Sequence, residues 1–333
     1  MKVTLKSLAA ELKVDPSLIS RVLRGDPDVR VSAEKRQLIT QVAAQRGYRP
    51  NRVARSLQSR ETHVIAMLTP DVTNPFHSLM FSGVERVAQK AGYSVILCNT
   101  PDNNEGDFQK TLEMMTQGLV DGVLVASARS PDPRLGMLRE LGIPFMVLNR
   151  PAATSDDDWL GPDDYRTGLM GGNYLTSHGH RRIALLLGDP GIGNMQERER
   201  GFLEAMKQAD IPEGSYEIVR NLDTKARGVE AAMAMFRRPA ERRPTAIFAP
   251  HTQLSEAIVE AAFRSRTRIP EDISVLGYTA RLPPLLTSVY VPAEEMGAQA
   301  MEIFKGILRR QDRPSGPCRQ SIEPVIVEAG TVA

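Results

Sequence analysis

The chain has 333 residues, of which 41% are hydrophobic and 25% are charged, as in ordinary folded proteins. This composition, with only Cys98 and Cys318 as cysteines, excludes disordered, collagen-like and disulfide-scaffold chains. No apolar run reaches the roughly 18 residues of a transmembrane helix, and the charged N-terminus lacks the apolar run of a signal peptide. We therefore expect about two or three globular domains in a cytoplasmic protein with no membrane partner.

The net charge of +2 is distributed unevenly along the chain. Residues 1–60 contain 13 Lys and Arg against 5 Asp and Glu, a balance of +8, whereas the remaining residues carry −6. A short basic segment joined to an acidic body is typical of a polyanion-binding arm on a separate module. The charge alone fits a solvated basic surface equally well.

The first sixty residues predict helices only. Thr4 is placed to cap the first helix, Asp15 and Pro16 to begin the second, and Ser32 to cap the third. The three helices are expected to end near residues 12, 24 and 47. Their predicted buried faces consist of Leu5, Leu8, Ala9 and Leu12 in the first helix, Leu18, Ile19, Val22 and Leu23 in the second, and Leu38, Ile39 and Val42 in the third.

The second predicted helix has a polar face formed by Ser17, Ser20, Arg21 and Arg24. In a helix-turn-helix unit the second helix lies in the major groove, where arginine pairs with guanine and serine contacts phosphates. These residues by themselves fit a generic three-helix bundle about as well as a DNA reader.

From about His63 onward, short apolar runs alternate with amphipathic helical stretches. The predicted strands span residues 64–68, 94–98, 122–126, 145–148, 183–187, 216–219, 246–248 and 273–276. The predicted helices span residues 76–90, 108–117, 164–178, 196–209, 226–236, 254–263 and 293–309. This βα repetition predicts two lobes, each a doubly wound parallel sheet covered by helices.

The boundary between the lobes is predicted at Asp156–Pro162, an acidic stretch rich in turn residues, in which residues 156–158 form a solvated turn. The first lobe would comprise residues 61–160 and 292–320, because the helix at 293–309 would cross back to it. The second lobe would comprise residues 161–291 and 321–333.

Nine segments along nearly the whole chain stand out together: Val14–Leu23, Val31–Ser32, Gly47–Leu57, Asn74–Phe76, Val120–Gly122, Gly179–Ala184, Arg198–Phe202, Asp272–Tyr278 and Pro284–Thr287. In order and spacing these segments resemble one family, that of the lactose repressor (LacI/GalR). The resemblance implies an all-α helix-turn-helix head over residues 1–60, with a hinge helix at about 50–60. It further implies that residues 61–333 form a two-lobed α/β effector-binding and dimerisation domain of the periplasmic-binding-protein type.

The resemblance assigns the DNA contacts residue by residue. They are Thr4, Pro16, Ser17, Ser20, Arg21, Arg24, Asn51, Arg52, Ala54, Arg55 and Leu57. Leu57 occupies the position where this family wedges a leucine into a minor-groove step, which kinks the duplex; simple burial of Leu57 is the alternative. The hinge is too short to form a helix alone, so we expect it to order in a dimer on DNA. Lys13 stands where the family usually has glycine.

The resemblance also implies an effector site between the lobes, formed by Phe76, Asn149, Arg198, Pro250 and Thr279. Arg198 matches the arginine that usually hydrogen-bonds the ligand; an exposed charge at a helix start is the alternative. Asn149 and Thr279 stand where acidic side chains are common, and Pro250-His251 replaces an Asn-Asp pair. These departures argue against a simple sugar held by carboxylates. A different metabolite, including an anionic one, or a weak or lost switch are the open alternatives.

The remaining motifs carry weaker signals. The glycine-rich segment 188–193 is predicted to be a crevice loop, because it lacks the third spaced glycine of a dinucleotide site. His178 and His180 predict a helix cap rather than a metal site. The sequence has no recognisable pair of nucleophile and base that would indicate an enzyme. We expect no cofactor. The sequence thus predicts a homodimeric transcriptional regulator, most simply a repressor, that binds a pseudo-palindromic double-stranded DNA operator and a small-molecule effector. The alternatives are a two-lobed solute-binding protein without DNA function and an enzyme that uses the glycine-rich loop for a phosphorylated substrate.

Overall fold

The computed structural model describes residues 3–23, 26, 28–48, 61–100, 105–126, 132–150, 154, 156–309 and 316–333, except the side chains of 105–107 and 110. The chain divides into two compact units, Met1–Thr62 and His63–Ala333. Within the described ranges, no helix is both long and apolar enough to cross a membrane.

The first unit consists of helices α1 (Leu5–Leu12), α2 (Pro16–Leu23) and α3 (Ala33–Gln45). Its buried core consists of Leu8, Ala9, Ile19, Val22, Val29, Ile39 and Ala43. The prediction that Leu38 is buried was wrong, since this residue is 51% exposed. Ile39 and Ala43, one helical turn apart, form the buried stripe of α3, and Leu38 lies about 100° away from that stripe around the helix axis.

Local hydrogen bonds stabilise the start of α1 and the start of α2, on either side of a tight turn between the two helices. Thr4 and Ser7 form a capping box at the start of α1. Asp15 accepts a 2.7 Å hydrogen bond from the Ser17 N–H at the start of α2. Between the helices Lys13 has a φ of 51°, in the left-handed region. A side chain other than glycine costs about 1–2 kcal/mol in that conformation, so the turn is strained.

The second unit alternates strands and helices. Its strands are β1 (Val64–Thr69), β2 (Ser94–Asn99), β3 (Gly122–Ala126), β4 (Phe145–Leu148), β5 (Trp159–Pro162), β6 (Ile183–Leu186), β7 (Tyr216–Val219), β8 (Ala246–Phe248), β9 (Ser274–Thr279), β10 (Ser288–Tyr290), β11 (Arg319–Ile322) and β12 (Val325–Val327). Its helices are α4 (Pro75–Lys90), α5 (Glu105–Thr116), α6 (Pro133–Glu140), α7 (Asp164–Ser177), α8 (Gly193–Gln208), α9 (Lys225–Phe236), α10 (Thr252–Ser265) and α11 (Ala293–Arg309).

The strands form two six-stranded sheets, one in each lobe. Their orders are β11-β5-β4-β3-β1-β2 and β12-β10-β9-β8-β6-β7. All neighbouring strands are parallel except β10 and β12, which pair antiparallel. Central strands such as β3 and β6 are buried on both faces. This burial explains why they appear in the sequence as continuous apolar runs.

The predicted lobe boundary at Asp156–Pro162 requires correction. Trp159–Pro162 is β5 and pairs with β4 and β11 in the first sheet. The solvated turn predicted just before it is also wrong, because Asp157 and Asp158 are buried. Arg139 pairs with Asp157 at 2.6 Å, and the Cys318 N–H donates to Asp158 at 2.8 Å. The first sheet therefore extends to residue 162, and through β11 to residue 322, two residues beyond each predicted limit.

Helix α11 packs against α4 of the first lobe. At Gly297 on α11 an added Cβ atom would lie 1.9 Å from the Met80 carbonyl oxygen on α4. The two backbones approach so closely that only glycine fits at this position. The contact joins the C-terminal part of the chain to the first lobe.

Candidate functional site

A cavity of about 420 Å³ lies between the lobes of the second unit, at the carboxyl ends of strands from both sheets. The first lobe lines it with Pro70, Asp71, Asn74, Phe76, His77, Asn149 and Arg150. The second lobe lines it with Gly188, Asp189, Ile192, Asn194, Met195, Arg198, Leu222, Asp223, His251, Thr252, Gln253 and Tyr278. In parallel α/β sheets this edge is where ligands bind.

Two contacts bridge the cleft directly. The Gln253 side-chain amide, on α10 of the second lobe, donates to an Asp71 carboxylate oxygen of the first lobe at 3.2 Å. The rings of Phe76 and Tyr278, one from each lobe, have centroids 6.2 Å apart. Although burial opposes it, hydrogen bonds from Thr73 hold the pKa of Asp71 below its usual value, so Asp71 is ionised at neutral pH. These contacts connect the two lobes across the cavity mouth.

Arg198, on α8, forms the centre of a buried polar network. Its Nε donates to Oδ1 of Asp164 at 2.8 Å, and its Nη2 donates to the Tyr278 hydroxyl at 3.3 Å. A further Nη group donates to the Pro250 carbonyl, and the guanidinium lies 4.4 Å from the Tyr278 ring centroid. Arg198 is only 2% exposed, which rules out an exposed charge at the helix start. Most of its donors are used within the second lobe.

Close packing of α7 and α8 brings this network together. At Gly201 on α8 an added Cβ atom would lie 2.0 Å from the Tyr165 carbonyl oxygen on α7. Because glycine allows this approach, Asp164 in the first turn of α7 reaches Arg198 in the second turn of α8. A bulkier residue at 201 would separate the ion pair.

Burial shifts the protonation of three cleft groups. It raises the pKa of Asp164 to about 6, with Arg198 acting in the opposite direction. It raises the pKa of Tyr278 to about 12. It lowers the pKa of His251 to about 3, and the neighbouring Arg198, His77 and Arg150 lower it further. At neutral pH the cleft therefore contains an Asp164–Arg198 ion pair and a neutral His251.

The Asn194 side-chain oxygen and Nδ1 of His251 line the cavity and are buried without a hydrogen-bond partner within the described part of the chain. Buried polar groups in folded proteins are nearly always hydrogen-bonded. Unsatisfied groups lining a cavity therefore indicate contacts that a bound molecule completes.

The structure brings three of the five predicted effector residues to the cavity: Phe76, Asn149 and Arg198. Pro250 and Thr279 do not line it. Pro250 contributes its carbonyl to Arg198, and the Thr279 hydroxyl accepts from the Arg281 N–H at 3.1 Å in its own turn.

The predicted effector residues omit several lining residues, among them Asp71, Arg150, Asn194 and Gln253, and His251 was noted only as a departure from the family's pattern. Asp71, Arg150, His251 and Gln253 follow predicted strands within five residues, and Asn194 lies seven residues after the strand predicted at 183–187. Their position at the carboxyl ends of parallel strands is the signal that could have identified them.

In the head, the predicted DNA-reading residues of α2 lie on one side of the helix. Ser17 and Arg21 are exposed and Pro16 and Ser20 are partly so, whereas Ile19 and Val22 are buried. Arg21 Nε lies 2.8 Å from Asp26 Oδ2. The predicted contacts Arg24, Asn51, Arg52, Ala54, Arg55 and Leu57, and with them the hinge helix, lie outside the described residues.

No group of three or more His, Cys, Asp or Glu side chains suited to a metal occurs among the residues that the structure describes. His178 is the C-cap residue of α7, where its Nδ1 lies 2.8 Å from the Tyr174 carbonyl. Nδ1 of His180 lies 3.0 Å from the Thr245 hydroxyl. Both histidines thus make ordinary structural contacts.

Comparison with known proteins agrees with this architecture. Residues 173–332 match the family model of a periplasmic binding protein-like domain. The ribose operon repressor of Escherichia coli is 30% identical over 98% of this chain and 99% of its own length. The transcriptional repressor PurR of Yersinia pestis is 32% identical over 99% of this chain and 97% of its own.

A crystal structure of the lac repressor dimer bound to operator and the anti-inducer ONPF superimposes with a TM-score of 0.83 at 21% identity, covering 100% of this chain and 99% of that one. The fold and the cleft thus define a two-lobed periplasmic-binding-protein-like domain joined to a helix-turn-helix head. The chain belongs to the LacI/GalR family of DNA-binding transcriptional regulators, and its relatives above are repressors, not enzymes.

Proposed function

We propose that this protein represses transcription by binding a pseudo-palindromic operator as a homodimer, and that a small molecule bound between the lobes modulates this binding. The observation that carries the proposal is the polar side of α2, where Ser17 and Arg21 are exposed and Ser20 is partly exposed above a fully apolar core, with Pro16 at the helix start. A helix of this kind fits the major groove, where the arginine guanidinium can pair with guanine O6 and N7.

The proposed phosphate and minor-groove contacts come from the end of α2 and from residues 51–57. Arg24, Asn51, Arg52 and Arg55 would neutralise phosphates, which makes binding steeply dependent on salt. Leu57, with Ala54 beside it in the hinge, would enter the central minor-groove step and kink the duplex. Thr4 would add a backbone contact at the start of α1.

Exposed apolar side chains support a second copy of this chain as the partner. β2 is the edge strand of the first sheet, and its Ile96 and Leu97 are both exposed. On the second lobe Phe263 and Leu285 are also exposed. Unpaired apolar sheet edges are normally covered, and a two-fold dimer covers the same surface on both copies. Two heads related in this way match a pseudo-palindromic operator.

The contacts across the cleft support the proposal that a bound small molecule modulates DNA binding. Asp71–Gln253 and Phe76–Tyr278 span the two lobes. A molecule that replaces or reinforces these contacts changes how the lobes close, and we propose that the hinges follow that change. Coupling of this kind typically amounts to about 1–3 kcal/mol, roughly 5–150-fold in operator affinity.

The proposal is tested by selecting fragmented host genomic DNA with the purified full-length protein at about 150 mM salt, where purely electrostatic binding is weak. Recovery of a short pseudo-palindrome is expected. The matched control is Arg21→Ala, which should no longer enrich it. If neither protein enriches any sequence, with or without a metabolite extract, the proposed function is rejected.

A further inference from the structure

The cleft is lined by the first turns of three helices. Residues from the starts of α4, α8 and α10 all line the cavity. The first N–H groups of an α-helix have no partner within the helix, and the peptide dipoles place partial positive charge at that end. Helix starts that line one cavity of about 420 Å³ can therefore offer backbone N–H donors to an anion bound there.

Two of these helices have no side-chain cap. Asn74 caps α4 by accepting from the Phe76 N–H at 3.0 Å. The N-cap residues Ile192 of α8 and His251 of α10 make no side-chain hydrogen bond to their helices. The ends of α8 and α10 therefore lack the Ser, Thr, Asp or Asn oxygen that usually satisfies a helix start.

A second observation at the same place indicates a ligand-binding position. Asn194 is the second residue of α8 and is 5% exposed. It lines the cavity, and its side-chain oxygen has no partner among the described residues. Rotation of this amide presents either its oxygen or its NH2 group, so it can donate to a ligand. Nδ1 of His251, also without a partner, can donate in one tautomer of the neutral ring.

Two guanidinium groups lie at the cavity beside these helix ends. Arg150 lines the cavity from the first lobe and Arg198 from the second. Both guanidiniums, with His77, lower the pKa of His251, and Asp71 acts in the opposite direction.

Three carboxylates also line the cavity, and each accepts from a donor of the protein. Asp71 accepts from Thr73 and Gln253, and Asp189 accepts from the Gly191 N–H at 2.7 Å. Asp223 pairs with Arg227 at 3.0 Å. No comparable acidic group caps α8 or α10.

We propose that the effector is an anion, a small metabolite whose carboxylate or phosphate oxygens bind at the starts of α8 and α10 with Arg150 and Asn194. This inference rests on the proposed function of the cleft as the effector site. Carboxylates and phosphates share charged oxygens that accept hydrogen bonds from several N–H donors at once. A neutral sugar of the same size has no such charged oxygen.

The test is a titration of the full-length protein with four probes at constant ionic strength: inorganic phosphate, gluconate, glucose 6-phosphate and glucose. Thermal unfolding is recorded together with operator binding. We expect a saturable rise in Tm with at least one anionic probe and none with glucose, and the carboxylate and phosphate arms identify the preferred group. Arg150→Gln and Asn194→Leu should weaken the response about tenfold or more.

Arg200→Gln is the matched control, because Arg200 lies on the same helix, pairs with Glu197 and does not line the cavity. Its response should equal that of the unaltered protein. An equal response to glucose and glucose 6-phosphate, or an anion response unchanged in both cleft variants, overturns the anion inference while the effector cleft stands. No response to any anionic probe also overturns it. If, in addition, a whole metabolite extract leaves operator binding unchanged, effector control itself fails.

Discussion

Asp164 and Arg198 form an ion pair inside the second lobe, with Arg198 Nη2 2.7 Å from Asp164 Oδ1 and neither side chain more than 5% exposed. The pair joins α7 to α8, and the other donors of Arg198 extend it to Tyr278 and the Pro250 carbonyl. Removing one member of such a pair leaves a buried charge without its partner, so the site and the stability of the lobe depend on the same residues.

Arg198→Met should therefore destabilise the fold by about 3–5 kcal/mol, because Asp164 stays buried without its counter-ion. Urea denaturation measures this change. The double variant Arg198→Met with Asp164→Asn should recover part of the loss, since no unpaired charge remains. Arg200→Ala, on the same helix but 64% exposed at its side chain, should change stability by less than about 1 kcal/mol. Equal effects of the two single substitutions contradict the buried-pair interpretation.

Acidification should destabilise the protein through His251. Its pKa falls from 6.5 in the unfolded chain to about 3 in the fold, chiefly through burial. The contribution is therefore complete above pH 6.5 and is lost as the pH falls from 6.5 toward 3. The loss should reach at most about 1.4 kcal/mol per pH unit.

Comparison of the unaltered protein with His251→Gln isolates the His251 contribution. Asp164, whose pKa is raised to about 6, changes stability in the opposite direction between pH 3.8 and 6 and is present in both proteins. The difference in unfolding free energy between them should thus change with pH below 6.5. A constant difference from pH 7.5 to 5 is the contrary result.

Gly201→Ala should destabilise the second lobe by about 1–3 kcal/mol or more, because the new Cβ atom would lie 2.0 Å from the Tyr165 carbonyl. Separation of α7 from α8 should also weaken the effector response. Gly136→Ala is the matched control: Gly136 lies within α6, and a Cβ atom there meets nothing within 4 Å. That variant should be equally or slightly more stable, by up to about 1 kcal/mol, in thermal or urea unfolding.

Asp26→Asn should strengthen operator binding. The substitution releases Arg21 from its 2.8 Å contact with Asp26 and removes a negative charge close to DNA. An exposed pair of this kind is worth up to about 1 kcal/mol, so the gain should be at most about fivefold in Kd by fluorescence anisotropy. The control is Glu11→Gln, which also removes one negative charge from the head but breaks the ion pair with Arg46 instead. An equal gain in both variants shows a general charge effect rather than release of Arg21.

Leu57→Ala should weaken specific operator binding about tenfold or more and leave binding to unrelated DNA nearly unchanged. The reason is that a wedge acts only on the kinked site, whereas phosphate contacts act on any sequence. Anisotropy with operator and scrambled duplexes at matched salt measures both affinities. Equal losses on the two duplexes reject the wedge.

The fold class and most of the helices and strands could be predicted from the amino-acid sequence. The βα alternation located β1–β4 and β6–β9, because strands of parallel sheets are buried on both faces and appear as short apolar runs. It missed the strands β5, β10, β11 and β12 and the helix α6. These elements depend on partners distant in sequence, such as Arg319 beside Trp159, which no local pattern encodes.

The chemistry of the cleft was decided only by the tertiary structure. Sequence singled out Arg198 but not Asp164, because the two residues are 34 positions apart in sequence and only the close packing of α7 on α8 brings them together. Likewise Asn194 and His251 are ordinary polar residues in the sequence. Their unpartnered atoms follow from folding, since two separate helix starts meet at one cavity. Local periodicity specifies elements, whereas burial and charge at a site depend on how distant elements pack.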